Sequence, residues 1–230
     1  NKALVYGRMT GWGQEGPMAL MSGHDINYIA LSGVLDSMGR KDENPQPPLN
    51  LIGDFGGGGM LLAVGMLSAI IHSQRTGQGQ VVDAAMVDGS AILMTMMYEL
   101  MGRGQWDNRR EANMNDGGAH FYGVYETSDG KYVSVAAMEP KFFEELLQRM
   151  DLDLTDFCGQ WDKAKWPTAK QRLADVFSTK TRQHWCDLLE GTDACFAPVL
   201  SMEEAIKHPH NVHRGTFTDV NGIMQPSPAP

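Results

Sequence analysis

The sequence predicts an α/β fold in two parts, a larger α/β domain and a smaller α+β domain. Three observations carry this reading. Short apolar strand-like runs alternate with helical patterns over the first 84 residues. A polar, glycine-rich stretch then interrupts the chain at 102–118. Beyond it, a hairpin pattern precedes a series of amphipathic helices. The resulting organisation is a part of a large α/β domain at 1–84, a helix and linker at 85–116, a small α+β domain at 117–206 and a returning linker at 207–230.

Taking the elements in order, Ala3 to Gly7 reads as a strand that runs into the glycine-rich loop Arg8-Met9-Thr10-Gly11-Trp12-Gly13-Gln14. Residues 24–38 have helical spacing, and the proline-rich stretch 42–48 cannot be a helix interior. Met60, Val64, Leu67 and Ile71 form one face of a helix, with Asp54 upstream where an N-cap would sit and Gly77 as its stop. Gln80 to Val82 is a brief strand. A second long helix follows, with Asp83 as its cap and Val87, Ala91, Met94, Tyr98 and Met101 as a buried stripe. Phe121 to Glu126 and Lys131 to Ala137 flank Ser128-Asp129-Gly130 as a β-hairpin. A helix begins at Pro140 with Phe143, Leu146, Leu147 and Met150 on one face. Further helices cover about 168–178 and 182–190, and Ser201 with Glu204 fits a capping box.

Composition narrows the function. A net charge of −9 argues against a dedicated nucleic-acid binder, because phosphate backbones reward clustered Lys and Arg. Cys158, Cys186 and Cys195 are an odd set without metal-type spacing, which favours an intracellular, reducing compartment. The apolar run Met60 to Ile71 is too short to span a bilayer, so no membrane span is expected. Asn1 stands directly before a strand and Pro230 ends a proline-rich segment, the pattern of a fragment truncated at both ends.

Gly53-Asp54-Phe55-Gly56-Gly57-Gly58-Gly59 is an unusual way to enter a helix, since each glycine gives up more backbone entropy than alanine would. The run either lets a ligand approach the backbone, with Asp54 beside an anion-binding helix start, or serves an N-cap and a tight helix contact. It lacks the Lys-Ser/Thr ending of a nucleotide phosphate loop. His24, between Gly23 and a polar helix start, is suited to taking and giving a proton near neutral pH, although a lone histidine is more often structural. Glu139 before Pro140 is by default a capping group. His208, His210 and His213 fit no strong metal pattern, and no metal is expected. The sixteen methionines are core packing or a soft surface for apolar chains.

Arg8 to Gln14, Arg75-Thr76-Gly77-Gln78-Gly79-Gln80-Val81-Val82-Asp83, and Asp193-Ala194-Cys195 with Ala197-Pro198-Val199 together resemble the family III CoA-transferase group. Within it, Gly23-His24-Asp25-Ile26-Asn27-Tyr28, Asn50 to Phe55 with its glycine run, and Ala137-Met138-Glu139-Pro140 resemble the α-methylacyl-CoA racemases. The resemblance implies a Rossmann-like large domain, here partial, a smaller α+β domain and an interlocked homodimer with the active site between subunits.

It implies a 1,1-proton transfer on a 2-methylacyl-CoA thioester, with His24 and Asp54 as opposed acid/bases and Glu139 of a second subunit supporting His24. Gly23, His24, Asp25, Ile26, Asn27 and Tyr28 would line the thioester's path, and the Asp54 N–H would face the enolate oxygen. No cofactor is implied beyond the CoA of the substrate. The implied compartment is the cytoplasm of a bacterium, or the mitochondrion or peroxisome of a eukaryote. The alternative within the group is a CoA-transferase in which Asp54 attacks the thioester.

Overall fold

In a computed structural model, which describes residues 1–228, the chain forms two compact units, Asn1–Gly118 and Ala119–Pro230. The first is built on a parallel pair, β1 (Tyr6–Thr10) against β2 (Val81–Ala85), in register from Tyr6 opposite Val81 to Thr10 opposite Ala85. Parallel neighbours need a long crossover, and the chain between them supplies helical elements. These are α1 (Asp25–Leu31) and a π-helical segment, Leu51–Met60, that runs straight into α2 (Leu61–Thr76). Gly77 ends α2 in the left-handed conformation at φ 72°. After β2 come α3 (Met86–Leu93) and α4 (Thr95–Gly102), separated at Met94.

Several expectations for this unit are corrected. The glycine run is not a lead-in to a helix but helix itself, so the apolar helix spans 26 residues, Leu51–Thr76. By length and composition alone it is long and apolar enough to cross a membrane. Its contacts are those of a helix laid on the β1–β2 pair: Gly65 lies under Val82, and Ser73 Oγ donates to the Ala3 carbonyl at 2.8 Å. Asp54 is not the N-cap, a position held by Asn50, but sits in the first turn. The face Met60, Val64, Leu67, Ile71 is exposed, Leu67 to 63%. Its opposite side, through Ala69 and Ser73, is the buried one. The predicted long helix after β2 is two short ones, Asp83 lies in β2, and of the supposed stripe Tyr98 and Met101 are exposed.

Glycine explains why hydrophobic spacing misleads here. A Cβ on Gly57 would stand 2.7 Å from Ser90 N and 2.9 Å from the Gly89 carbonyl carbon, so the π-helical segment and α3 meet backbone to backbone. The stretch 102–118 is also more than a linker. Arg110 donates to the carbonyls of Asp36, Arg40 and Glu43. Buried Asn113 joins Asp107 to Asp116.

The second unit holds an antiparallel sheet in the order β3 (Tyr122–Glu126), β4 (Tyr132–Ala136), β5 (Phe196–Val199). In β4, Val133 and Val135 are buried while Tyr132 and Ala136 are exposed, the period-two alternation of a half-buried strand. Three amphipathic helices accompany the sheet: α5 (Pro140–Arg149), α6 (Trp166–Phe177), which packs on β3, and α7 (Arg182–Leu189), which packs on β5 and against α5. Phe143, Leu146 and Leu147 of α5 are buried as their spacing requires. The Ser201–Glu204 capping box opens α8 (Met202–Ala205), with both reciprocal hydrogen bonds formed.

The returning linker read at 207–230 carries structure. It holds α9 (Pro209–Arg214), started by a first-position proline, and a hairpin of β6 (Phe217–Val220) with β7 (Ile223–Pro226). Asn221 and Gly222, both at positive φ, make its two-residue turn. Residues 229 and 230 lie outside the described residues.

Candidate active site

In the first unit, one open cavity of about 550 Å³ is lined by Met9, Gly23, His24, Tyr28, Asp54, Phe55, Gly59 and Met86. His24 stands at the N-cap of α1 in extended backbone (φ −134°, ψ 174°), where the chain turns from loop into helix. Its backbone N–H donates to Asn27 Oδ1 at 3.0 Å. The side chain is exposed and lines the cavity while forming a capping box with Asn27, so the ring is within reach of a ligand.

Asp54 enters the cavity from the first turn of the π-helical segment, a geometry that recurs at functional positions. Its Oδ2 accepts from Asn50 Nδ2 at 3.2 Å, and its N–H donates to Asp25 Oδ2 at 2.7 Å. That second bond corrects one expectation: the Asp54 amide is already committed and is not a free donor for an enolate oxygen.

Tyr28 lines the same cavity as the two candidate bases. Tyr28 donates its hydroxyl to the Gly23 carbonyl, and its ring meets Trp12 edge to face at 4.7 Å. Burial, and then the Asp54 carboxylate, raise the Tyr28 phenol above its ordinary value, so it remains a donor. Gly23 makes this packing possible, because a Cβ there would stand 2.9 Å from both rings. Met9, Phe55 and Met86 give the cavity an apolar side suited to hydrocarbon.

Of the segment Gly23 to Tyr28, then, Gly23, His24 and Tyr28 line the cavity. Asp25 is buried behind it, Asn27 caps the backbone, and the side chain of Ile26 is exposed. Glu139 belongs to the second unit, at the N-cap of α5, close enough to the Cys195 thiol that its charge helps raise that group's pKa, after burial. Sequence reasoning assigned no role to Asn50, although its i, i+4 spacing to Asp54 on one helix was a usable signal. Met9 and Met86 are adjacent only through the fold. Among the described residues no cluster of His, Cys, Asp or Glu is arranged to hold a metal.

A parallel α/β unit that sets a histidine and an aspartate on one apolar-sided cavity defines a class of acid/base or acyl-handling sites on small molecules. Comparison with known proteins makes this specific. A model of CoA-transferase family III matches residues 1–229, and the chain belongs to that family. It is 46% identical to the alpha-methylacyl-CoA racemases of Mus musculus and Homo sapiens over its whole length, and spans 61% and 60% of theirs. A crystal structure of a CAIB/BAIF family protein from Brucella suis shares the fold, with a TM-score of 0.76 at 22% identity, covering 100% of this chain and 62% of that one. The chain thus spans about three fifths of the length of the curated relatives it matches.

Proposed function

We propose that the protein is an α-methylacyl-CoA racemase, an isomerase that interconverts (R)- and (S)-2-methylacyl-CoA thioesters. The observation that carries this reading is the placement of His24 and Asp54 on one cavity, in a chain 46% identical to such racemases.

The α-proton of a thioester is weakly acidic, and removing it leaves an enolate whose α-carbon is planar. A base on one face takes the proton; inversion requires that an acid on the other face return one. A single group would give the proton back to the side it left. In this reading neutral His24 removes the proton of one enantiomer while the Asp54 carboxyl group donates to the opposite face, and the roles reverse for the other enantiomer. The acyl chain lies along Met9, Phe55 and Met86. The donor to the enolate oxygen is a group other than the Asp54 amide, which Asp25 occupies. No cofactor takes part beyond the CoA of the substrate. Glu139 of a second subunit would bond His24 and favour its charged form, which makes the working unit an intracellular homodimer with its site between subunits.

The rival within the family is acyl transfer, with Asp54 attacking the thioester carbonyl to form an anhydride. The full-length protein is expected to incorporate solvent deuterium at C2 of either 2-methylacyl-CoA enantiomer without any acid acceptor. Turnover only when a free carboxylic acid accepts CoA, with no exchange at C2, would sink the racemase reading and favour the transferase.

A further inference from the structure

We propose that Asp25, a residue with no contact to the cavity, sets the separation of the two bases; this rests on the racemase reading and assigns a positioning residue to the same site. Asp25 is 5% exposed and acidic, a combination that proteins avoid unless the charge is matched. Here it is only half matched. Its Oδ2 takes the Asp54 N–H at 2.7 Å, while its buried Oδ1 has no hydrogen-bond partner among the described residues. A group desolvated for one hydrogen bond is a poor stabiliser, and that cost is consistent with a positioning role.

The geometry supplies the role. Asp25 is joined to His24 by one peptide bond, and its side chain grips the backbone of Asp54 twenty-nine residues further on. Asn50 holds the Asp54 carboxylate from the other side. The chain from His24 through Asp25 to Asp54 and Asn50 therefore fixes one base relative to the other without occupying the space between them.

Gly53 is shaped to this contact. A Cβ there would lie 2.7 Å from Asp25 Oδ2, 2.9 Å from its Cγ and 3.3 Å from its Cα, so any side chain at 53 would push the carboxylate and the start of α1 away. The first glycine of the run thus serves the Asp25 contact, while Gly57 serves the packing on α3. Two-sided proton transfer is sensitive to such placement, since a misplacement of about 1 Å costs on the order of 10²-fold in rate.

The test compares Asp25→Ala, Asp25→Asn and Gly53→Ala in the full-length protein, reading racemisation and C2 deuterium exchange per folded site. Asp25→Ala is expected to lower kcat by on the order of 10²-fold with KM within about twofold, because the side chain does not line the cavity. Asparagine keeps an acceptor of the same shape, so Asp25→Asn retains kcat to within about tenfold, as a neutral bond replaces a charge-assisted one. Gly53→Ala reproduces the Asp25→Ala loss although His24, Asp25 and Asp54 are all intact. The Asp54 amide proton, followed by NMR, resonates downfield in the wild type, moves upfield in Asp25→Ala and lies between in Asp25→Asn; this readout needs no turnover. Wild-type kcat in both Asp25→Ala and Gly53→Ala, or an Asp54 amide unmoved by Asp25→Ala, would overturn the positioning role while leaving the racemase reading standing. A wild-type protein without exchange would sink the reading itself, and the positioning role with it.

Discussion

The two units of this chain solve burial in opposite ways. The second unit is stabilised by large side chains. Phe121, Phe143, Phe157, Trp166 and Phe177 are buried with edge or stacked contacts between rings, such as Tyr125 on Phe177 at 5.1 Å. The first unit carries both candidate bases but buries few large groups, chiefly Tyr28, Ile29 and Val34, and leaves a broad apolar face of α2 exposed. Its precision comes from glycines at which backbones or a carboxylate approach closely. Stability in one unit and placement in the other thus rest on different residue types, and mutation should separate them.

The largest effects belong to the bases. Replacing His24 with Ala or Asp54 with Asn should lower racemisation by about 10²- to 10⁴-fold, measured by optical rotation or chiral chromatography, with little change in thermal stability because both side chains border an open cavity. Loss of stability equal to the loss of rate would erase the contrast between the units. Next comes the second unit's core: Phe143→Ala is expected to cost about 3–5 kcal/mol in urea denaturation, whereas Leu67→Ser on the exposed face of α2 should stay within about 0.5 kcal/mol in this chain. A smaller loss is expected at the glycine crossing. Gly57→Ala forces a shift against Ser90 and should cost about 1–3 kcal/mol, read by the same denaturation.

The second unit also carries a pH-dependent contribution to stability. His120 is 1% exposed in a cage of Phe121, Phe143 and Phe157, both ring nitrogens lack hydrogen-bond partners among the described residues, and burial pushes its pKa down to about 4. Between that value and the ordinary 6.5 the unfolded chain binds the extra proton, so stability is full above about 6.5 and declines as pH falls toward about 4. Denaturation midpoints across this window should drop in the wild type and flatten in His120→Leu. A slope that persists in the variant would assign the effect elsewhere.

The same contrast explains what was legible in the sequence. In the second unit the signals were local: Pro140 at a helix start, the Phe143–Leu146–Leu147 stripe, the Ser201–Glu204 box and the Asp129-Gly130 turn each dictate their own structure. The Asn221-Gly222 turn is equally local, both residues standing at positive φ. In the first unit hydrophobic spacing pointed to the wrong face of α2, because the buried side is made of small residues such as Gly65, Ala69 and Ser73. His24 and Asp54 stood out as residue types, and the resemblance gave them roles. The bond from Asp25 to the Asp54 amide could not be read, since it joins positions 29 apart through a gap that only Gly53 leaves open.

The central claim is that His24 and Asp54 serve opposite faces of one α-carbon. The most direct measurement follows C2 deuterium exchange of each pure enantiomer of a 2-methylacyl-CoA in His24→Ala and in Asp54→Asn. The account predicts that each variant exchanges one enantiomer with retention, that the two variants choose opposite enantiomers, and that exchange far outpaces racemisation in both. Equal exchange of both enantiomers by either variant would contradict it.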